Sequence, residues 1–173
     1  MKDLPILFNG QMVRAILDGR KTQTRRPRMG GEPPRYQVGD RLYVRESYAP
    51  HYHGPGRHGY AADWTERAAD TVPRPRWTPS IHMPRAAARI WLEVVGVRAE
   101  RVGDITLADC IAEGVESLVE AGQPDVGRNP ADRTYEQIVR GRFRRIWIDI
   151  YGEQSWGLGY CWVYAFRRIE VTP

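Results

Sequence analysis

Hydrophobic residues recur along the chain with the spacings of short strands and amphipathic helices. Residues 6–8 form an apolar run that predicts a strand. Asn9 follows this run and caps a helix predicted over residues 10–18, whose apolar residues return every three or four positions. Gly19 is placed to end that helix. A longer helix is predicted from residue 135 to about residue 151, where apolar residues again fall on one face.

Further strands are predicted where polar and apolar residues alternate. These strands cover residues 21–26, 41–46, 160–166 and part of 89–102, while Thr106 caps a short helix that ends near Ala112. Because the strands are scattered between helices without a regular βαβ order, we expect an α+β fold with a curled antiparallel or mixed sheet. No internal repeat and no long linker divides the chain, so a single domain is expected.

The segment from residue 48 to residue 85 is rich in His, Pro, Gly and aromatic residues and shows no periodic pattern. Loops of this length are usually functional or mobile rather than simple connections. Within it, Trp77, Ser80 and His82 combine a ring for stacking with hydrogen-bonding groups, a mixture that suits the binding of a flat base. The alternative is a loop that Trp77 anchors in the core.

The composition is that of an ordinary soluble domain, with 42% hydrophobic and 27% charged residues in a chain of 173. No apolar run approaches the roughly 20 residues of a membrane helix, and residues 1–5 do not open a signal-peptide core. We therefore expect a cytoplasmic protein without membrane contact. Cys110 and Cys161 lie far apart, which predicts two buried reduced thiols. The histidines and cysteines lack metal-ligand spacing, so no metal site is predicted.

The balance of basic residues points to an anionic partner. The net charge is +5 and the isoelectric point is near 9.5, values that suit a nucleic acid or a nucleotide, although biased composition alone also produces arginine-rich surfaces. Of the 26 basic residues, only Lys2 and Lys21 are lysine. Lysine, unlike arginine, can lose its proton near neutral pH when it is buried, and so act as a base. Lys21 is therefore either a candidate base or an ordinary surface residue.

Thr24 follows Lys21 by three residues in a polar segment directly after the first predicted helix. A threonine hydroxyl becomes a nucleophile when a neighbouring amine of lowered pKa takes its proton. The flanking Arg20, Arg25 and Arg26 would lower the pKa of a lysine by repulsion between like charges, and burial would add to this effect. The pairing is common on protein surfaces, so it indicates catalysis only in combination with other features.

Several carboxylates could transfer protons in such a site: Asp40, Glu46, Glu93, Asp104, Asp109 and Glu113. Glu113 stands out because it ends the helix that Thr106 caps and is followed by Gly114. Its alternative role is that of a solvated residue at a helix end. Glu46 and Glu93 lie in predicted strands, where each could instead pair with a nearby arginine such as Arg89.

Three motifs occur in the order found in the ASCH family, which the chain resembles. They are the segment from Gly19 to Arg26, the turn and strand at residues 38–42, and residues 111–114. The aromatic helix and the aromatic closing strand also fit this family. The resemblance implies an α+β fold of PUA-like, ASCH type, with a curled β-barrel and flanking helices in one domain over residues 1–173. It also implies a long insertion at about residues 49–88, as in phage and metagenomic members.

One group of ASCH proteins removes the acyl group from N4-acetylcytidine and related N4-acylated cytosines. Its motif falls on Lys21, Thr24 and Glu113 of this chain. The resemblance then implies that Lys21 activates Thr24, that Thr24 attacks the acyl carbonyl, and that Glu113 relays protons, without a cofactor. Arg26 would steady the oxyanion or the substrate, and Glu46 is the reserve candidate for the relay.

An RNA-binding module of the same family, which could carry weak ribonuclease activity, is the alternative. It would use Arg20, Arg25 and Arg26 to hold phosphates and Trp77 to stack on a base. The sequence leaves open whether a nucleoside, a free base or RNA is bound, which acyl group is preferred, and which oligomer forms. The candidate substrate-binding residues are Arg20, Arg26, Glu46, Trp77, Ser80 and His82.

Overall fold

The computed structural model of the chain describes residues 1–28, 30–64, 75–115, 134–157 and 159–170. Its strands are β1 (Asp3–Leu7), β2 (Gln23–Pro27), β3 (Arg41–Arg45), β4 (Tyr48–Ala49), β5 (Gly59–Tyr60), β6 (Trp91–Arg101) and β7 (Tyr160–Ile169). Its helices are α1 (Gly10–Leu17), α2 (Leu107–Ala112), α3 (Tyr135–Tyr151) and α4 (Gln154–Gly157). The predicted strands and helices therefore form, with ends shifted by a few residues.

Five strands make one mixed sheet in the order β1-β3-β6-β7-β2. β1 runs parallel to β3, and the other neighbours are antiparallel. A bulge between Val94 and Gly96 interrupts the pairing of β6 with β7, and such bulges increase the local twist of a strand. The α+β class predicted from the sequence is confirmed.

The sheet is not closed into a barrel by backbone pairing within the described residues, where β1 and β2 are its two edges. A side chain spans the opening between them, since Arg26 Nη2 on β2 donates a hydrogen bond of 3.0 Å to the Leu7 carbonyl on β1. The gap between these two edge strands is therefore where a ligand can reach the residues on the inner face of the curled sheet.

Helix α1 begins and ends where its sequence signals predict. The Asn9 side chain accepts a hydrogen bond from the Met12 backbone N–H, which satisfies one of the free donors at the helix start. At the other end, Gly19 has a φ of 74°, a left-handed conformation that glycine adopts without steric cost. This turn delivers the chain into Lys21 and then into β2.

Two apolar cores cover the two faces of the sheet. The first contains Ile6, Phe8, Val13, Ile16, Tyr36, Leu42, Val44, Ala62, Ile90, Leu92, Val94, Tyr164 and Phe166. The second contains Val102, Ile105, Cys110, Val115, Val139, Phe143, Trp147, Cys161 and Val163. Thr24 lies opposite Tyr164 and Arg25 lies opposite Val163. Because side chains alternate along a strand, Thr24 faces the first core and Arg25 faces the second.

Cys110 and Cys161 are free, buried thiols in the second core, as predicted. Burial raises the pKa of the Cys110 thiol to about 12 and that of the Cys161 thiol to about 11. Thiols held in this protonated form are poor nucleophiles and poor metal ligands. Their contribution is to packing.

The insertion predicted over residues 49–88 lies within the described residues at 49–64 and 75–88, and its remainder lies outside them. β4 pairs with β5, and Tyr48 forms a bridge with Thr78 on the far side of the segment. A small third core of Tyr48, Met83 and Ala87 fixes this segment to the rest of the protein. None of the helices in the described ranges combines the length and apolar character needed to cross a membrane.

Candidate functional site

Lys21 and Glu113 form a buried ion pair at the point where α1, α2 and β2 meet. Lys21 enters the site because its backbone N–H is held by the Ala15 carbonyl at 2.9 Å, and Glu113 is the residue that ends α2. The Lys21 ammonium donates three hydrogen bonds of 2.9 Å, to the Gln23 carbonyl, the Glu113 carbonyl and Glu113 Oε2. The Lys21 side chain is 0% exposed and that of Glu113 is 5% exposed.

Burial lowers the pKa of Lys21 below its ordinary value, because a charged amine loses its hydration in the interior. The Glu113 carboxylate opposes this effect, and the nearby Arg26 and Arg25 guanidiniums add to it. Repulsion by Arg25 and Arg26 agrees with the effect expected from the sequence for the flanking arginines, while Arg20 is not among the causes. In the folded protein burial is the larger cause.

Arg25 extends the pair into a buried network on the second face of the sheet. Its guanidinium lies 3.2 Å from Glu113 Oε1, 2.7 Å from Glu100 Oε2 and 3.3 Å from Asp109 Oδ2. Burial alone would lower the pKa of Arg25, but these carboxylates outweigh it and the pKa is raised. Arg25 therefore stays charged and fixes Glu113 in position from the side opposite Lys21.

Asp109 forms the outer end of this network. Gln23 Nε2 donates to Asp109 Oδ1 at 2.9 Å, and the Thr106 hydroxyl donates to Asp109 Oδ2 at 2.8 Å in the capping box of α2. Partial burial raises the pKa of the Asp109 carboxyl, but these hydrogen bonds and the Arg25 charge lower it to about 2. The network thus ties α2, which carries Glu113, to β2, which carries Thr24.

Thr24 lies in the middle of β2 and is 1% exposed. Its hydroxyl has no hydrogen-bond partner among the residues that the structure describes, and the three Lys21 hydrogen bonds go to other groups. Lys21 and Thr24 are therefore neighbours in sequence without a direct hydrogen bond in this arrangement. Thr24 lies opposite Tyr164 in the pairing of β2 with β7.

A cavity of about 550 Å³ opens at the gap between β1 and β2. This volume is within the range of small-molecule sites. Its walls come from the end of β1, the start of α1, the loop before β3, the end of α3 and the middle of β7. They consist of Ile6, Leu7, Phe8, Asn9, Met12, Arg26, Arg35, Tyr36, Ser47, Ser80, Ile150, Tyr151 and Tyr164.

Phe8 separates the cavity from the buried ion pair. Its ring forms part of the cavity wall, and its centroid lies 5.4 Å from Lys21 Nζ and 5.4 Å from Arg26 Cζ. A cation at this distance from an aromatic ring is attracted to it. Lys21, Thr24 and Glu113 are not among the described wall residues, whereas Phe8 and Tyr164, the strand partner of Thr24, are.

The candidate substrate-binding residues divide into two groups. Arg26 and Ser80 line the cavity. Arg20 is exposed and pairs with Asp18, and His82 is exposed, so neither lies in the wall. Trp77 is half-buried, with its ring centroid 5.8 Å from that of Trp64, and lies neither in the cavity wall nor in one of the three cores.

Glu46, the reserve for the proton relay, is buried and belongs to a separate pair. Its two oxygens accept hydrogen bonds of 2.9 Å and 3.1 Å from Arg89, which also contacts Asp63. Burial raises the pKa of Glu46 and the Arg89 charge opposes the rise. The sequence left open whether Glu46 relays protons or pairs with an arginine such as Arg89, and in the folded protein Glu46 pairs with Arg89. Glu113 is thus the carboxylate that reaches Lys21.

Sequence reasoning missed the aromatic wall of the cavity, which consists of Phe8, Tyr36, Tyr151 and Tyr164. The four residues come from four separate segments, and their periodicity predicts only burial. A signal was present at Tyr164, because a strand residue opposite Thr24 shares its face of the sheet. Among the residues in the described ranges, no three His, Cys, Asp or Glu side chains are grouped as metal ligands would be.

The chain is similar in structure to three solved proteins. An ASCH domain from Lactobacillus crispatus JV V101 aligns with 96% of this chain and 79% of its own, at 11% identity and a TM-score of 0.49. A protein from Enterococcus faecalis V583 aligns with 99% of this chain and 82% of its own, at 11% identity and a TM-score of 0.47. A hypothetical protein aligns with 98% of this chain, at 14% identity and a TM-score of 0.42.

The first of these solved structures is of the domain type that the sequence motifs resemble. No protein-family model matches the sequence, and no curated protein matches it.

Proposed function

We propose that this protein is an amidohydrolase that removes the acyl group from an N4-acylated cytidine or cytosine, without a metal or an organic cofactor. The observation that carries the proposal is the buried pair of Lys21 and Glu113 behind an aromatic-walled cavity of nucleoside size. A lysine of lowered pKa, with a carboxylate at hydrogen-bond distance, is the arrangement that a general base and its proton acceptor need.

In this proposal Lys21 becomes a base by passing a proton to Glu113 Oε2, which lies 2.9 Å from Lys21 Nζ. The transfer converts a buried pair of opposite charges into a neutral amine beside a neutral carboxyl. Burial favours the uncharged Lys21 amine, because a charged amine loses its hydration in the interior. The Lys21 amine then holds a free lone pair for the Thr24 hydroxyl.

Thr24 acts next as the nucleophile. Its oxygen attacks the acyl carbonyl while its proton moves to the Lys21 amine. The carbon–nitrogen bond breaks, the exocyclic amine of cytosine takes the proton that Glu113 holds, and the acyl group remains on Thr24 as an ester. Lys21 then passes its proton to Glu113 again, and water attacks the ester while losing a proton to Lys21. Thr24 regains a proton from Glu113 as the acyl group leaves as a carboxylic acid. Arg26, which lines the cavity and follows Thr24 by two residues on the same face of β2, would stabilise the oxyanion.

The aromatic wall would hold the base. Tyr36, Tyr151 and Tyr164 surround the cavity with rings on which a pyrimidine can stack, and their hydroxyls can hydrogen-bond to its edge. For the acyl carbon to reach Thr24, the Phe8 ring has to turn aside when the ligand enters. Phe8 is thereby assigned the contact with the acyl group.

The test is an ultraviolet assay with N4-acetylcytidine and purified full-length protein in the presence of EDTA. Wild-type protein should convert the substrate to cytidine. Thr24→Ala should lower turnover by about a hundredfold or more, since the nucleophile is removed. Thr22→Ala is the matched control, because Thr22 is an exposed threonine two residues away. Turnover by Thr24→Ala at the wild-type rate would exclude the nucleophile, and absence of turnover by folded wild type would exclude the activity.

The alternative is an RNA-binding module. It is favoured by Arg26 and Arg35, which line the cavity where the wall contains no carboxylate. Affinity for an oligoribonucleotide would then fall steeply as salt rises, because phosphate contacts release counterions. Turnover of a neutral nucleoside has no such dependence, so the two functions separate in one salt titration.

A further inference from the structure

Many arginines of the described ranges pair with carboxylates, but Arg26 and Arg35, which line the cavity, and Arg28, two residues after Arg26, do not. Arg25, Arg41 and Arg89, among others, each lie within 3.3 Å of an aspartate or glutamate oxygen. Arg26, Arg28 and Arg35 form no ion pair with any described residue. Glu32, in the loop that carries Arg35, is likewise unpaired within the described part of the chain. A local excess of positive charge therefore surrounds the cavity.

Aromatic rings take the place of carboxylates in holding these three guanidiniums. Arg26 lies 5.4 Å from the centre of the Phe8 ring, Arg28 lies 5.0 Å from that of Trp162, and Arg35 lies 5.6 Å from that of Tyr36. A ring face orients a cation and supports it without cancelling its charge. The full positive charge thus stays available to a ligand.

Strand pairing and one hydrogen bond connect the segments that carry the three residues. Arg26 and Arg28 are two residues apart and follow the same edge, with Arg26 opposite Trp162 in the pairing of β2 with β7. The Arg35 backbone N–H donates to the Tyr164 hydroxyl at 3.1 Å, so the loop that carries it folds onto the cavity wall. Arg35 is exposed, and Arg28 has a buried Nε without a partner in the described residues.

We infer that Arg28 and Arg35 form a phosphate subsite beside the cavity, and that the ligand is a cytosine nucleoside monophosphate rather than a neutral nucleoside. The inference rests on the proposed function for the identity of the base. Arginine forks match phosphate oxygens in pairs of charge-assisted hydrogen bonds. Arg26, which the Leu7 carbonyl and the Tyr151 hydroxyl already hold, is left to face the reacting group.

The distribution of these arginines favours a single nucleotide over a nucleic-acid strand as the ligand. Proteins that bind single strands line a groove with basic residues along successive phosphates. Here two of the three arginines, Arg26 and Arg35, line one cavity of about 550 Å³, a volume within the range of small-molecule sites. One phosphate group attached to one base is the ligand that this arrangement matches.

The test is isothermal titration of the full-length protein with cytidine and with cytidine 5′-monophosphate, the two reaction products. Product binding does not depend on turnover, so this measurement separates the inference from the proposed reaction. Wild type should bind the monophosphate about tenfold or more tightly than cytidine, the size expected for charge-assisted hydrogen bonds. Arg35→Gln and Arg28→Gln should each reduce that preference, because each should weaken binding of the monophosphate more than binding of cytidine.

Arg168→Gln is the matched control, since it removes one exposed arginine that forms no ion pair within the described ranges. Arg168 and Trp162 are six residues apart on β7, which places Arg168 roughly 20 Å away. This variant should keep the preference for the monophosphate. Equal affinity for the two probes, no binding of either, or an equal effect of Arg168→Gln would overturn the phosphate subsite. Much tighter binding of a cytidine-containing oligoribonucleotide than of the monophosphate would overturn the choice of a single nucleotide.

Discussion

Lys21 Nζ and Glu113 Oε2 lie 2.9 Å apart, although 92 residues separate them in the chain and both side chains are buried. The contact joins the turn after α1 to the end of α2. It also decides the state of the candidate base, because the carboxylate holds the lysine charge that burial disfavours.

Removal of Glu113 should destabilise the protein strongly. Glu113→Leu would leave Lys21 buried without its carboxylate, and breaking a buried pair in this way costs about 3–5 kcal/mol. The measurement is the free energy of unfolding in urea. Glu93→Gln is the control, because Glu93 pairs with the largely exposed Arg167 and should cost less than about 1 kcal/mol. Equal losses for the two variants would mean that the buried pair has no special energetic role.

Lys21→Arg should abolish turnover while the positive charge is kept. Arginine does not lose its proton at working pH, so a role as base is lost and the rate should fall about a hundredfold or more. The rate is measured with N4-acetylcytidine, beside Lys2→Arg as the control on the other lysine of the chain. A variant that keeps most of its activity would show that Lys21 supplies charge alone.

The free energy of unfolding should depend on pH through the titration of Lys21. The folded-state pKa of Lys21 lies below its ordinary value of 10.5. At a pH between the folded-state pKa and 10.5, Lys21 is therefore protonated more in the unfolded chain than in the folded one. Stability should therefore rise with pH across this interval and level off above about 10.5. Urea titrations of wild type and Lys21→Met test this, because the rise should be absent from the variant. Parallel curves for the two proteins would contradict it.

Protonation of Asp109 in acid should lower the free energy of unfolding. Its folded-state pKa of about 2 lies below the ordinary value of 3.8, so its stabilising contribution is complete above pH 3.8 and is lost as pH falls toward 2. The contribution amounts to about 2 kcal/mol. Asp109→Asn should flatten the fall in stability over this range, as followed by circular dichroism. Asp18→Asn, which removes an exposed carboxylate, should leave the acid curve unchanged.

Gly114→Ala should displace Lys21 and lower the free energy of unfolding. Gly114 has a φ of 79°, and an added Cβ would lie 2.9 Å from Ala15 Cβ and 3.2 Å from Lys21 Cβ. Backbone strain and overpacking together should cost about 2–4 kcal/mol of unfolding free energy. Gly141→Ala is the control of opposite sign, because Gly141 lies within α3 with open space around it and should gain about 0.5–1 kcal/mol. Comparable stability of the two variants would contradict the close approach of Gly114 to Lys21.

The local features of the fold could be predicted from the sequence because short-range physics sets them. Asn9 and Thr106 accept hydrogen bonds from the starts of α1 and α2, and these caps depend on residues three positions away or fewer. Alternation of polar and apolar residues located the strands for the same reason. Lys21 could also be singled out from the sequence, and a lowered pKa could be expected for it.

Tertiary structure alone decided which carboxylate meets Lys21 and where the cavity lies. Glu46 and Glu113 carry the same group, but the packing of α2 against β2 brings only Glu113 to Lys21, while Glu46 pairs with Arg89. The cavity likewise depends on α3 and the loop before β3 folding onto Tyr164. Such contacts join residues far apart in the chain, and their free energy comes from packing that no local pattern encodes. The sequence thus determined the chemistry available, and the fold determined which groups can use it together.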